Sequence, residues 1–273
     1  RMKVFSFSFQ NLKGRPNEDY YLISSKHPLW AVADGITRTK NKKGYPLNSG
    51  ARLAAEEFCK TVINYLENNF KKANLRSVKK AFDLANRAIF NLNEKYGINK
   101  KINYLENDYF STCGAAAFIK RNILFYGYVG DCGIRIYDKN NLLRLISIDD
   151  ISPLEELRDQ KFRSEKERLI FWRKFLRNKP KAPYLTYGVF TGEPEVKHYY
   201  HLGKINLQKG DLILIYSDGA FQFVKNLEFI KLLKKQLLKE TNKFIKKEIK
   251  LQKITKATEE KFFDDKTLIS VLF

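Results

Sequence analysis

Four aspartates stand at or beside the ends of apolar runs that lie far apart in the chain. Asp34 closes LWAVAD, Asp131 closes FYGYVGD, Asp218 closes LILIYSD, and Asp264 lies in FFDDKTLISV. Glu18 and Asp19 add an acidic pair in RPNEDY, just before another short apolar run. Short apolar runs bounded by turn residues are strand candidates, and carboxylates placed where strands end can converge on one rim of a sheet. The chain holds only 3 His and 3 Cys, so a carboxylate set of this kind points to a hard divalent cation with oxygen ligands. Such ions neutralise phosphate charge and activate water, and metal-dependent phosphoryl chemistry is the expectation. Taken singly, each aspartate is equally well read as a turn former or cap, and Gly35 and Gly219 as suppliers of positive φ. The joint pattern is what points to a site.

The elements that must position these groups follow from the pattern of apolar residues. Residues 4–9 alternate as a half-buried strand does, DYYLIS is a second strand, and PLWAVAD is a third, apolar enough to be central. Ser49 can cap a helix through ARLAAEEFCKTVINYLEN, and a second amphipathic helix fits SVKKAFDLANRAIFNLNEKY and stops at Gly97. YFSTCGAAAFI, ILFYGYVG and IRIYD are strands in succession, with turns at Arg121-Asn122 and Asp131-Cys132-Gly133. Residues 153–180 are charged and helical in period and read as an insertion. GDLILIYSDG is a further strand, helices follow it, and TLISVLF is a last strand. Strands, two helices, strands, an insertion, a strand, helices and a strand suggest two packed antiparallel sheets flanked by helices, not a doubly wound βαβ fold.

Composition narrows the class. A chain of 273 residues, 44% hydrophobic and 14% aromatic, can bury a substantial core. No apolar run approaches the ~20 residues that span a bilayer, and RMKVFSFSFQ has no secretory-signal pattern. Cys59, Cys113 and Cys132 show neither CxxC nor framework spacing, which fits reduced, buried thiols and a cytoplasmic location. The formal net charge of +21 suits an acidic partner, but the Lys-, Asn- and Ile-rich composition accounts for it as well. No helix-turn-helix, RNP-like or zinc-finger signature is present, so nucleic acid is not expected. The lysine run from Lys231 to Lys256 reads as a solvated helix face. His198 and His201 form an HxxH that nothing nearby completes, and His27 stands alone.

Together these segments resemble the metal-dependent type-2C protein Ser/Thr phosphatases of the PPM class, in the bacterial form, from Arg15 to Val271 and in the family's order. The matching segments are Arg15-Pro16-Asn17-Glu18-Asp19, Val32-Ala33-Asp34-Gly35, Ser111-Thr112-Cys113-Gly114-Ala115-Ala116, Val129-Gly130-Asp131-Cys132, Ser217-Asp218-Gly219 and Asp264-Asp265-Lys266-Thr267. Each is weak alone, but in this order, each beside a strand, they are specific. The resemblance implies an α+β fold, a four-layer αββα sandwich of two antiparallel sheets, in a single catalytic domain over residues 1–273 with a flap-like insertion at about 151–183.

The resemblance also implies two Mg²⁺ or Mn²⁺ ions. Asp34 would bridge them, with Asp218, Asp264 and the Gly35 carbonyl as further ligands, and Glu18 and Asp19 acting partly through water. A hydroxide held between two ions ~3.5–4 Å apart would attack phosphorus in line, and Arg15 would grip the phosphate oxygens with its planar fork. Arg15, Asp34 and Asp19 are thus the catalytic candidates. The implied partner is a phosphoserine or phosphothreonine protein in a signalling role, with no membrane, and the enzyme is read as a monomer. Asp265 is expected to support the ligands or face solvent, and Asp149 and Asp150 to form turns.

The chain departs from the family at several positions. Ile36-Thr37-Arg38 follows Asp34-Gly35 where many members carry glycines and a histidine proposed as the general acid. A third ion would use Asp131 and Asp218, but Gln222 stands where the other carboxylate is usual, so that ion is expected to bind weakly. These departures keep open a pseudophosphatase, a catalytically weak regulatory binding module of the same fold. A partner-switching phosphatase acting on an anti-sigma antagonist is disfavoured by the intact Arg15–Asp19 segment.

Overall fold

A computed structural model describes residues 2–11, 16–36, 49–98, 108–155, 162, 164–183, 185–255 and 264–273. Ten strands form two sheets: β1 (Lys3–Phe9), β2 (Tyr20–Ile23), β3 (Leu29–Gly35), β4 (Thr112–Lys120), β5 (Ile123–Val129), β6 (Gly133–Tyr137), β7 (Leu143–Ile146), β8 (His201–Asn206), β9 (Leu212–Tyr216) and β10 (Lys266–Leu272). One sheet has the order β1-β10-β9-β6-β7 and the other β2-β3-β4-β5-β8, with antiparallel neighbours throughout. Helices α1 (Gly50–Asn68) and α2 (Leu75–Lys95) cover the second sheet. After β9 come α4 (Phe221–Lys225), α5 (Leu227–Lys234) and α6 (Leu238–Thr255), which cover the first. Between β7 and β8 lies α3 (Glu165–Phe171).

The period of two along each strand sorts side chains into separate cores. On β3, Leu29, Ala31 and Ala33 pack with Phe58 of α1 and Phe82 of α2. Trp30 and Val32 point the other way and join Ala115 of β4, Ile134 of β6, Ile215 of β9 and Ile269 of β10 between the sheets. A third cluster packs Leu212, Leu214 and Leu268 against Phe223, Phe229 and Ile245. Three cores between four layers make the αββα sandwich. Small residues let the layers approach: a Cβ on Gly114 would fall 2.5 Å from the Phe58 ring. Burying one such ring contributes ~1.5–3 kcal/mol.

Local chemistry explains the boundaries. Ser49 caps α1, its Oγ accepting from the Arg52 N–H at 3.4 Å. Helix α2 starts earlier than its apolar period suggests, because Asn74 and Ser77 form a reciprocal capping box. Arg121 and Asn122 sit at φ 50° and 60° and close β4 and β5 into a two-residue hairpin. The sequence reading gives no bounds for β7 (LRLI), a short edge strand beside β6, and omits β8 (HLGKIN), whose Gly203 and Lys204 interrupt the apolar pattern and which pairs with β5 at the edge of the other sheet.

The segment between β7 and β8 is anchored by buried charge. After α3 a wide helical turn over Trp172–Leu176 carries Arg173, and Arg177 follows. Arg173 binds Asp108 bidentately, Nε at 2.7 Å and Nη2 at 2.9 Å, and Arg177 Nη1 reaches the same carboxylate at 2.5 Å. Burial alone would raise the Asp108 pKa, but the two guanidinium groups outweigh it and hold the group below its ordinary value. Cys59, Cys113 and Cys132 are free and buried. No helix among the described residues is long and apolar enough to cross a membrane.

Candidate metal and active site

The strand period that builds the inter-sheet core also delivers the carboxylates. Asp34 follows Trp30 and Val32 on the same face of β3, at the end of the strand. Its backbone carbonyl accepts a hydrogen bond from Thr112 Oγ1 at 2.6 Å, and Cys113 of β4 is its register partner. Gly35 lies against the first turn of α1. A Cβ there would fall 2.6 Å from Ala51 backbone atoms, so only hydrogen fits.

Asp19 is fully buried at the start of β2. Its Oδ2 accepts from Ser217 Oγ at 2.6 Å, and Ser217 itself bridges to Thr267 N at 3.0 Å. One carboxylate therefore joins the ends of β2, β9 and β10. The other oxygen, Oδ1, is buried and makes no hydrogen bond of good geometry among the described residues. Beside Asp19, Glu18 accepts from Ser49 Oγ, the cap of α1, and Arg52 Nη1 donates to the Asp19 carbonyl.

Asp265 does more than its sequence position indicates. It is buried rather than solvated. Its Oδ1 accepts from Asn11 N (2.6 Å) and Asn11 Nδ2 (2.9 Å), and its Oδ2 from Glu18 N (2.7 Å). It clamps the Glu18–Asp19 segment to the start of β10. Gly219 presses on the same point: a Cβ there would lie 2.0 Å from the Asp265 carbonyl oxygen. Asp218 opens the short turn after β9, and Asp264 Oδ1 accepts from Asp265 N at 2.9 Å. Sequence reasoning also missed Lys266, whose buried ammonium donates to the Asp264 carbonyl at 2.8 Å. Burial lowers its pKa, against the pull of Asp264, Asp218, Asp265 and Asp19.

The electrostatics report the convergence. Burial first, then repulsion from Asp19, Asp218, Asp264 and Asp131, holds the Asp34 carboxyl well above the carboxylate range. Asp19 is pushed up to about 8 by burial, with Asp265 and Asp264 adding to the rise while the Ser217 and Thr267 hydroxyls oppose it. Several carboxylates thus lie close enough here to raise one another's pKa. No three His, Cys, Asp or Glu side chains among the described residues are arranged to hold an ion as they stand. The donor chemistry nevertheless fits a hard dication: oxygen ligands, mutual repulsion, and a buried Asp19 Oδ1 with no hydrogen bond of good geometry among the described residues.

The remaining candidates divide. Asp131 lies close enough to raise the Asp34 pKa, while buried Gln222 Nε2 has no hydrogen-bond partner among the described residues. Arg15 and Arg38 lie outside the described residues. Asp149 caps the turn at Ser152, accepting from Ile151 N and Ser152 N at 2.9 Å each. His201 Nε2 meets Asp150 Oδ2 at 2.7 Å and stacks on Tyr128, and His27 stacks on Phe70.

The family model for protein phosphatase 2C matches residues 11–254, which take in Glu18, Asp19, Asp34, Asp131 and Asp218 and end before Asp264 and Asp265. The chain belongs to the protein phosphatase 2C family. Among solved structures, it is similar to the catalytic domain of the serine/threonine protein phosphatase PstP in complex with two manganese ions. That likeness has 18% identity and a TM-score of 0.63, over 99% of this chain and 97% of that one. The Mycobacterium tuberculosis phosphatase PstP/Ppp matches with 17% identity and a TM-score of 0.65 over 100% and 98% of the two chains. PppA of Pseudomonas aeruginosa matches with 16% identity and a TM-score of 0.62 over 99% and 96%. These likenesses establish the phosphatase 2C fold. No curated protein matches the sequence.

Proposed function

We propose that this chain is a metal-dependent protein Ser/Thr phosphatase, hydrolysing phosphoserine and phosphothreonine monoesters in a single catalytic domain. The observation that carries the reading is the buried carboxylate cluster at one end of the inter-sheet core, where Asp19 Oδ1 makes no hydrogen bond of good geometry among the described residues and the aspartates raise one another's pKa. Asp34, Asp218, Asp264 and the Gly35 carbonyl are the residues that would hold Mg²⁺ or Mn²⁺, with Glu18 and Asp19 beside them. When bound, such ions supply Lewis-acid charge and activate water at neutral pH.

The protein's own part is positional. Ser217 orients Asp19 through Oδ2 and leaves Oδ1 available. Asp265 fixes the backbone of Glu18. The Thr112 hydroxyl holds the Asp34 carbonyl at the strand end. Arg15 is assigned to the phosphate oxygens by the family motif, and its fork suits a dianionic monoester. Cleavage breaks the bond from phosphorus to the Ser or Thr oxygen, water adds to phosphorus, and the hydroxyl leaves with a proton. Ile36-Thr37-Arg38 contains no histidine to donate that proton.

The test is hydrolysis of a phosphothreonine peptide by metal-stripped protein with Mn²⁺ restored, beside Asp34→Asn. Activity that returns with metal and disappears in the variant supports the reading. Folded protein that turns over nothing with either Mn²⁺ or Mg²⁺ overturns it and favours a pseudophosphatase.

A further inference from the structure

Helix α6 carries six lysines, Lys239, Lys243, Lys246, Lys247, Lys250 and Lys253, and only two acidic residues, Glu240 and Glu248. At ~100° per residue, Lys239, Lys243, Lys246, Lys250 and Lys253 fall within about 80° of arc, and Lys247 lies about 40° beyond. All six are exposed. The far side of the helix buries Thr241, Ile245 and Gln252, and Phe244 and Ile249 pack on the same outer core. The packing thus fixes which face meets solvent. From Lys239 to Lys253 is 14 residues, a straight rail about 21 Å long at ~1.5 Å per residue.

Glu240 and Glu248 offset only part of this charge. Among the described residues no carboxylate lies within ion-pair distance of these lysines. Lys239 and Lys243, Lys243 and Lys247, and Lys246 and Lys250 are like-charged pairs at i, i+4, which weaken a helix. A polyanion laid along the rail relieves that repulsion.

We propose that α6 is a docking rail for the phosphodiester backbone of nucleic acid, bound without regard to sequence. The rail is one-dimensional, which matches a linear chain of phosphates. It offers lysine point charges alone. The helix has no arginine to read base edges, and its aromatic residue, Phe244, is engaged in the core, so base stacking is not on offer. A bilayer fits less well. The exposed Leu238 and Leu251 lie about 100° or more from the rail centre and face sideways when the lysines face a membrane, whereas interfacial helices bury an apolar face. The rail is separate from the carboxylate cluster, and the proposal stands whether or not the chain is a phosphatase.

The test is fluorescence anisotropy of the full chain with a labelled mixed-sequence 25-base-pair duplex, from 50 to 200 mM salt. Five phosphate contacts predict a slope of about −4 to −5 in log K against log salt. Changing Lys239, Lys243, Lys246, Lys250 and Lys253 to Gln should weaken binding more than thirtyfold at 100 mM salt and flatten the slope. Glutamine preserves helix propensity. Changing Lys246, Lys250 and Lys253 alone should lower the slope by about 2 to 3, and serves if the fivefold variant fails to fold. A control with Lys3, Lys166, Lys197, Lys204 and Lys209 changed to Gln has the same net charge and should lose less than threefold. Equal losses in rail and control variants would overturn the proposal. So would absence of wild-type binding at 50 mM salt, or rail-dependent binding to phosphatidylglycerol vesicles without binding to the duplex.

Discussion

Replacing Asp19 by asparagine should stabilise the metal-free protein at neutral pH while weakening its response to metal. The Asp19 carboxyl is pushed up to about 8 from 3.8. The folded state therefore holds this proton more tightly than the unfolded chain does. The stability so gained is complete below pH 3.8 and is lost as pH rises toward 8. Inside that window the loss is ~1.4 kcal/mol per pH unit, or about 3 kcal/mol between pH 5 and 7. For a domain of this size that is about 6–12 °C in melting temperature. Asparagine cannot ionise, and its carbonyl oxygen can still accept from Ser217.

The assay is thermal melting of metal-stripped wild type and Asp19→Asn across pH 5 to 8, without and with Mn²⁺. Taking the difference between the two proteins cancels every group they share. The wild type should lose stability with pH relative to the variant and recover it on adding Mn²⁺. The variant should show a flatter curve and a smaller metal-induced shift. Parallel pH curves, or an undiminished Mn²⁺ shift in the variant, would refute the argument that these carboxylates await a cation.

Other consequences are open to test. Mn²⁺ binding near pH 7 should release protons, since Asp19 and Asp34 are held protonated, and affinity should rise with pH; calorimetry in buffers of different ionisation heat reads the proton count, and a zero count would contradict the reading. Asp108→Asn leaves Arg173 and Arg177 buried without their carboxylate and should cost about 3–5 kcal/mol in urea unfolding. A loss under 1 kcal/mol would show that the segment between β7 and β8 is not held there. Gly219→Ala drives a Cβ to 2.0 Å from the Asp265 carbonyl and should cost about 1–3 kcal/mol and weaken Mn²⁺-dependent stabilisation more than tenfold. Unchanged metal titration would remove Gly219 from the support of the site.

Some of this was legible in the sequence because the same rule sets burial and position. Asp34 reads as a strand-end carboxylate since Trp30 and Val32 precede it at a period of two. Asp218 follows LILIY in the same manner. Asp265 was legible only as one of two alternatives, support for the ligands or a solvent-facing group, because two adjacent aspartates look alike until the chain folds. Only the approach of Asn11 and Glu18 makes one of them a clamp. Lys266 was missed for a related reason, since a lysine opening a strand gives no sign that its ammonium will be buried among carboxylates. Asp108 sits where the sequence pattern is polar, and its partners, Arg173 and Arg177, come from 65 and 69 residues away. Strand β8 was lost because an edge strand needs only partial apolar alternation.

The seating of β10 between β1 and β9 has a consequence for biosynthesis. Asp265 and its partner Asn11 are 254 positions apart. At ~5–20 residues per second, a ribosome needs roughly 13 to 50 s to bridge that interval. Throughout it, β1 has no neighbour to pair with, and Phe5, Phe7 and Phe9 wait without the strand beside which they fold. The carboxylate cluster meanwhile lacks Asp264 and Asp265. A nascent chain therefore cannot assemble the cluster early. The first sheet closes and the acidic site comes together in one late event, and a polypeptide interrupted before β10 offers a chaperone an unpaired, phenylalanine-studded strand.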